Sequence, residues 1–154
     1  MTHERFCCVS RIGQLTSDIY KNNIFTSSSQ PQLRDRTTMG TEYILVNQTK
    51  KELISFTHLN GAKKRELAGN DAQPAMVTWY LLSNQGDQIQ FISDHDNYWP
   101  FATGSQEELC QFSDKTDSLV DELIKQGILR DHGYLYQDEN NPDTEYIRDI
   151  RRSW

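Results

Sequence analysis

The sequence has few cysteines and no long apolar segment. Its three cysteines, Cys7, Cys8 and Cys110, are odd in number and two are adjacent, which is not the pattern of a disulfide framework. No apolar run approaches the roughly 20 residues that a membrane-spanning helix requires. The N-terminus also lacks the apolar stretch of about 7 to 15 residues that marks a secretory signal. We therefore expect reduced thiols, no membrane partner and a cytoplasmic location.

Motifs of the common catalytic and cofactor sites are also missing. The chain has no HExxH, CxxC or calcium-loop spacing for a metal, no GxSxG for a serine nucleophile, and neither GxGxxG nor a P-loop for phosphate. A catalytic cysteine would need a nearby imidazole and an orienting group. Cys110 instead lies between Leu109 and Phe112 on an amphipathic turn, where a small buried residue is expected. The sequence thus favours a non-enzymatic protein and predicts no cofactor.

Negative charge is concentrated in one part of the chain. The 154 residues carry 16 basic and 22 acidic side chains, a net charge of −6, yet residues 1–38 carry five basic and three acidic ones. Residues 39–154 are left with 11 basic and 19 acidic side chains and a net charge of −8. The negative electrostatic field of residues 39–154 repels a phosphate backbone and attracts a basic surface. A basic protein is therefore a favoured partner and nucleic acid a disfavoured one.

Composition divides the chain near residue 38. Residues 22–38 are rich in Ser, Thr, Asn and Gln and have few large apolar side chains, which is typical of linkers and disorder. We predict that residues 1–38 are a disordered or non-core N-terminal extension and that residues 39–154 form a single α+β domain. The change in composition also raises the hypothesis that Met39 is the native start.

A β-hairpin is predicted at residues 41–58, where β-branched and aromatic residues stand on both sides of a short polar turn. The first strand is apolar on both of its faces, so we expect it to be covered on both sides. A third strand is predicted at residues 88–93, with Ile89 and Phe91 on its buried face. A second hairpin is predicted with its turn at residues 140–142, and a helix over residues 143–152 is the alternative.

Two helices are predicted between these strands by the helical spacing of apolar residues. The first lies between Asp71 and Gly86, and the second lies between Asp114 and Gly127, where Gly127 and the following Ile128 match a Schellman motif. A shorter helix is predicted before each of them. The fold class is therefore α+β: a small, mostly antiparallel sheet made of the N-terminal hairpin plus the C-terminal hairpin, packed against two or three helices.

The order of elements after residue 114, a helix, a short strand and a hairpin, resembles the second half of a winged helix over residues 114–150. The resemblance implies a winged-helix-like nucleic-acid binder, for which the basic run Lys63, Lys64 and Arg65 would supply cations. The Asp and Glu residues in the wing position carry the wrong charge for DNA. A solvated helix face is the simpler interpretation of the basic run.

The segment after the third predicted strand is aromatic. Tyr98, Trp99 and Phe101 place three rings in four positions around Pro100, next to acidic residues. Rings on a restrained loop are typical of binding hot spots, although such a loop also folds back over the core in many small domains. We predict that Tyr98, Trp99 and Phe101 contact a basic partner, which makes the chain an interaction module of the inhibitor, immunity-type or adaptor kind.

Asp94, His95 and Asp96 form the densest group of possible metal ligands in the sequence. Adjacent residues seldom point to one centre, so a metal site would need His58 or His132 from elsewhere in the fold. The simpler interpretation is a turn in which aspartates cap backbone N–H groups. A small metal-dependent or hydrolytic enzyme that uses this triplet is the alternative function.

Overall fold

The computed structural model describes residues 41–154, so the predicted extension at residues 1–38, with Cys7 and Cys8, lies outside the described residues. In chain order the elements are β1 (Tyr43–Asn47), β2 (Glu52–Ile54), α1 (Lys64–Gly69), α2 (Ala72–Ser83), β3 (Ile89–Ser93), a 3₁₀ helix (Gln106–Gln111), β4 (Ser113–Asp114), α3 (Thr116–Lys125), β5 (Leu129–Gln137) and β6 (Tyr146–Arg152). The predicted α+β class is confirmed. The two predicted hairpins lie in separate sheets.

The larger sheet has the strand order β3-β1-β2-β4. β1 pairs antiparallel with both β2 and β3, whereas β2 pairs with β4 in parallel. β1 is thus a central strand, and its side chains alternate between two apolar layers because successive residues of a strand point to opposite faces. The prediction that β1 is covered on both sides is confirmed.

The main core lies on one face of this sheet. Here Leu45 of β1 packs with Met76 of α2 and with Val120 and Leu123 of α3, and all four side chains are buried. The second core lies on the opposite face and consists of Ile44, Val46, Ile92, Leu109 and Phe112. Burial of one such aliphatic side chain stabilises the fold by about 1.5–3 kcal/mol, and the two cores therefore fix the position of β1.

Two details of the predicted core are wrong. Ile92 rather than Phe91 is the buried apolar residue of β3, because the second core covers the face that the alternation pattern assigned to solvent. Cys110 is exposed, and its thiol contacts the Glu107 carbonyl within the 3₁₀ helix. The tighter turn of a 3₁₀ helix places residues differently from the α-helical spacing that the prediction assumed.

The helix α3 ends as its sequence predicts. Gly127 has φ +73°, the left-handed conformation that glycine adopts without strain. The Ile128 N–H donates to the Leu123 carbonyl and the Gly127 N–H donates to the Ile124 carbonyl, both at 2.9 Å. These two bonds define a Schellman motif. The chain therefore reverses at once and enters β5.

β5 and β6 form the predicted C-terminal hairpin, and the alternative of a helix over residues 143–152 is wrong. The Asp138 carboxylate accepts hydrogen bonds from the N–H groups of Asn140 and Asn141, which fixes the turn. The register shifts near Gly133, where φ is +97°. Most of β5 is exposed.

Among residues 41–154, no helix is long and apolar enough to cross a membrane.

Candidate functional site

The predicted aromatic loop, which contains Tyr98, Trp99 and Phe101, follows a short turn at the end of β3. Asp96 Oδ2 accepts a hydrogen bond from the Ser93 N–H at 2.8 Å, and the Asp96 N–H donates to the Ser93 carbonyl at 3.2 Å. The chain therefore leaves the sheet in a tight turn. Tyr98 follows on the outside of the loop with 67% of its surface exposed. Trp99 and Phe101 are half-buried against the second core.

The loop is held from inside by one carbonyl group. The carbonyl oxygen of Thr103 accepts a hydrogen bond from Trp99 Nε1 at 2.7 Å and another from Gln48 Nε2 at 3.0 Å. The Trp99 and Phe101 rings meet edge to face with their centroids 5.1 Å apart. Two of the three predicted rings therefore anchor the loop, and the third, Tyr98, is presented to solvent. The role of these rings in partner binding stays a prediction.

The acidic residues of the triplet are engaged with the backbone. Asp94 Oδ1 accepts a hydrogen bond from the Glu42 N–H at 3.0 Å, and Asp96 caps Ser93 as described above. The imidazole of His95 is exposed and its Nε2 lies 3.9 Å from Asp94 Oδ2. Within residues 41–154 there is no group of three His, Cys, Asp or Glu side chains that could hold a metal.

The two other histidines considered as metal ligands have different surroundings. The His58 ring stacks on Tyr146 with a centroid distance of 3.9 Å and an interplanar angle of 9°, and His58 Nδ1 lies 3.1 Å from the Tyr146 carbonyl oxygen. His132 is exposed on β5, next to the irregular part of the hairpin. The fold therefore commits the His58 ring to aromatic packing.

A second aromatic surface, which we call the hairpin face, was not predicted. Tyr134 is 58% exposed and meets Tyr146 edge to face at 5.6 Å, so that His58, Tyr146 and Tyr134 form a row of rings. Burial, followed by the negative charge of Asp117, raises the pKa of Tyr146. The tyrosines of β5 and β6 are visible in the sequence, but no local pattern brings His58 to them.

Arg148 lies beside the hairpin face. Its guanidinium is within 4 Å of carboxylate oxygens of Asp117 and Asp121 on α3 and of Asp131 on β5. Burial acts to raise the pKa of Asp131, but the hydrogen bonds from Arg148 and from the Gly133 N–H, together with the Arg148 charge, lower it below its usual value. One cation among three carboxylates leaves this group of four side chains with a net negative charge.

The basic run of Lys63, Lys64 and Arg65 lies at the start of α1, and α1 contains no further basic residue. Lys63, Lys64 and Arg65 are exposed at the start of α1, and the Lys63 N–H donates to the Glu66 carboxylate at 3.0 Å. The winged-helix comparison assigns the wing to the tip of the β5–β6 hairpin. That tip contains Asp138, Glu139, Asp143 and Glu145. Its charge is opposite to that of a DNA-binding wing.

A shallow cleft of about 260 Å³ lies beside the aromatic loop. It is lined on one side by Gln88 and the β3 residues Ile89 and Gln90, and on the other by the loop residues Pro100, Phe101 and Ala102. The cleft therefore runs between β3 and the loop that presents Tyr98. No protein-family model, no curated protein and no solved structure matches the chain.

Proposed function

We propose that this chain is a non-enzymatic interaction module, of the inhibitor, immunity-type or adaptor kind, and that it binds a basic protein partner through the aromatic loop. The observation that carries the proposal is the contrast within the loop. Trp99 and Phe101 are anchored on the second core, whereas Tyr98 is 67% exposed. An exposed tyrosine on an anchored loop provides a large contact area and loses little conformational entropy on binding.

The charge of the chain beyond residue 38 supports a basic partner. Residues 39–154 carry a net charge of −8, and Asp94 and Asp96 stand directly before the aromatic loop. Opposite charge on the partner accelerates association and suppresses wrong partners, and salt screens this contribution. Binding is therefore expected to weaken as the salt concentration rises.

Co-purification of partners with the full chain tests the proposal. Tyr98→Ala is the informative variant, because Tyr98 is exposed and its loss leaves both cores intact. Leu82→Ala is the matched control, because Leu82 on α2 is 63% exposed and lies outside the aromatic loop. We expect Tyr98→Ala to reduce the captured basic partner at least tenfold, the size of a hot-spot loss, and Leu82→Ala to retain it.

Circular dichroism and urea unfolding show whether each variant keeps the fold, so that a loss of binding is not mistaken for unfolding. The same capture at low and at high salt tests the charge argument. If the Tyr98→Ala variant is folded and captures its partners at the wild-type level, the aromatic loop is not the interface. Capture of acidic proteins only, with no effect of salt, would exclude a basic partner.

A further inference from the structure

β3 is an edge strand of the larger sheet. In the order β3-β1-β2-β4 it has β1 on one side and no strand on the other among the described residues. An open edge presents backbone N–H and C=O groups that can pair with another extended chain. Natural edges are usually blunted by charge, proline or a bulge, and β3 has the sequence IQFIS without any of these.

The hydrogen-bond pattern identifies which groups of β3 face outward. The Gln48 N–H donates to the Gln88 carbonyl, and the Asp94 N–H donates to the Glu42 carbonyl. In an antiparallel pair, residues that bond to the neighbour alternate with residues that do not. The backbone N–H and C=O groups of Gln90 and Ile92 therefore point toward β1. The backbone groups of Ile89 and Phe91 point away from it. Ser93 also faces away, where Asp96 caps it.

The outward groups of Ile89 and Phe91 have no hydrogen-bond partner in the part of the chain that the structure describes. Each of these residues thus offers one N–H and one C=O at the edge. The cleft beside the aromatic loop opens next to the same stretch of β3 and has Pro100 and Phe101 as its opposite wall. A strand that pairs with β3 would place every second side chain at this cleft.

The charges next to β3 indicate which kind of chain would pair with its open edge. Asp87 precedes β3, and Asp94 and Asp96 follow it, while Lys50 lies 3.7 Å from Asp87. A second copy of this chain would bring a further charge of −8 from its residues 39–154 to the edge. Like charges brought together oppose association. An extended segment with basic side chains fits the edge better than a second copy does.

We propose that the partner contributes an extended, basic segment that adds to the free edge of β3 as a fifth strand and places apolar side chains in the cleft beside Phe101. The inference rests on the proposed function and specifies its mode, which is β-strand addition. Backbone hydrogen bonds supply the register at Ile89 and Phe91. Tyr98 then contacts the partner next to the added strand.

Amide hydrogen exchange of the full chain, followed by NMR, tests the proposal. The probe is a seven-residue peptide of alternating lysine and valine, and the control is the same peptide with alternate backbone amides N-methylated. Without peptide, the amides of Ile89 and Phe91 are expected to exchange fast and those of Gln90 and Ile92 slowly. With the probe peptide, we expect exchange at Ile89 and Phe91 to slow at least tenfold, and the methylated peptide to have no effect.

Substitutions at Gln90 add a charge test without changing the backbone edge, because the Gln90 side chain is exposed. The Gln90→Lys variant is expected to bind the probe peptide about threefold more weakly and the Gln90→Glu variant about threefold more tightly, as for exposed ion pairs. The two variants are matched in length and differ in charge, so an equal effect of both would contradict the charge argument.

The outcomes separate this inference from the proposed function. Failure of the probe peptide to bind, or binding without slower exchange at Ile89 and Phe91, overturns strand addition. If the Tyr98→Ala variant still loses its partner in that case, the interaction module stands and its mode is different. Protection of Ile89 and Phe91 that grows with protein concentration in the absence of peptide would identify a second copy as the occupant and overturn the inference.

Discussion

Arg148 donates two hydrogen bonds to a single oxygen of Asp131, from Nε at 3.3 Å and from Nη2 at 2.8 Å. The Arg148 side chain is only 14% exposed, and Nη2 also lies 3.4 Å from Asp121 on α3. Arg148 belongs to β6 and Asp131 to β5, so the guanidinium joins both strands of the hairpin to the helix before them. Few apolar side chains of the hairpin are buried, and this ion-pair group therefore contributes to its position.

Asp131→Asn is predicted to destabilise the protein by about 1 kcal/mol. The substitution keeps the shape of the side chain and removes the negative charge of the carboxylate that accepts hydrogen bonds from Arg148. Hydrogen bonds to charged groups contribute about 1.5–3 kcal/mol when protected from water, and we reduce this range because solvent screens the partly exposed carboxylate. Urea unfolding measures the change. Asp143→Asn in the exposed tip is the control, and an equal loss for both variants would contradict the assignment.

The contribution of Asp131 to the free energy of unfolding is predicted to depend on pH. Its pKa is lower in the folded protein than its usual value of about 3.9. The ionised carboxylate therefore stabilises the fold above that pH, and the stabilisation is lost as the pH falls through the folded pKa. We expect the difference in unfolding free energy between wild type and Asp131→Asn to be present at about pH 5 and to shrink below about pH 4. Urea unfolding across this range measures it, and a difference that persists in acid would exclude the ion pair as its cause.

Gly127→Ala is predicted to destabilise the protein by about 1 kcal/mol, because alanine is strained at φ +73°. An added Cβ would meet no atom within 4 Å, so the effect comes from the backbone alone. Gly69→Ala is the matched control, because its Cβ also meets nothing and the residue lies in α1. Thermal unfolding should show a lower Tm for Gly127→Ala and an unchanged or slightly higher Tm for Gly69→Ala. Equal effects would mean that the helix end is not the cause.

Much of the fold could be predicted from local signals. The Schellman motif of Gly127, the hairpin turn at residues 140–142 and the double-sided apolar pattern of β1 each depend on a few neighbouring residues, and each is present in the structure. Elements that depend on distant contacts could not be predicted. The two-residue strand β4 exists because it pairs with β2 in parallel, and two residues carry no period of their own.

The candidate site was predictable only in part. The sequence identifies the ring cluster at Tyr98, Trp99 and Phe101 but not which rings face solvent, because this depends on the second core that the distant Leu109 and Phe112 complete. The open edge of β3 is also invisible locally, since strand order is a property of the whole sheet. His58 joins Tyr146 across 88 positions in the chain. Local patterns cannot encode such a contact.

Trp99→Phe tests whether anchoring of the loop presents Tyr98 to a partner. Phenylalanine keeps an aromatic ring against the second core and removes the indole N–H that donates to the Thr103 carbonyl at 2.7 Å. A loss of about 1 kcal/mol in the free energy of unfolding is expected for one such hydrogen bond. Because the Thr103 carbonyl then keeps only the bond from Gln48, we also expect partner capture to fall although Tyr98 itself is unchanged.

Trp154→Phe is the matched control for that variant, because Trp154 is 80% exposed and lies beyond β6. It should leave both the urea midpoint and partner capture at the wild-type level. A Trp99→Phe variant that loses stability and still captures its partner fully would show that Tyr98 binds without a rigid loop. A variant that changes neither quantity would show that the hydrogen bond from Gln48 to the Thr103 carbonyl is enough to hold the loop.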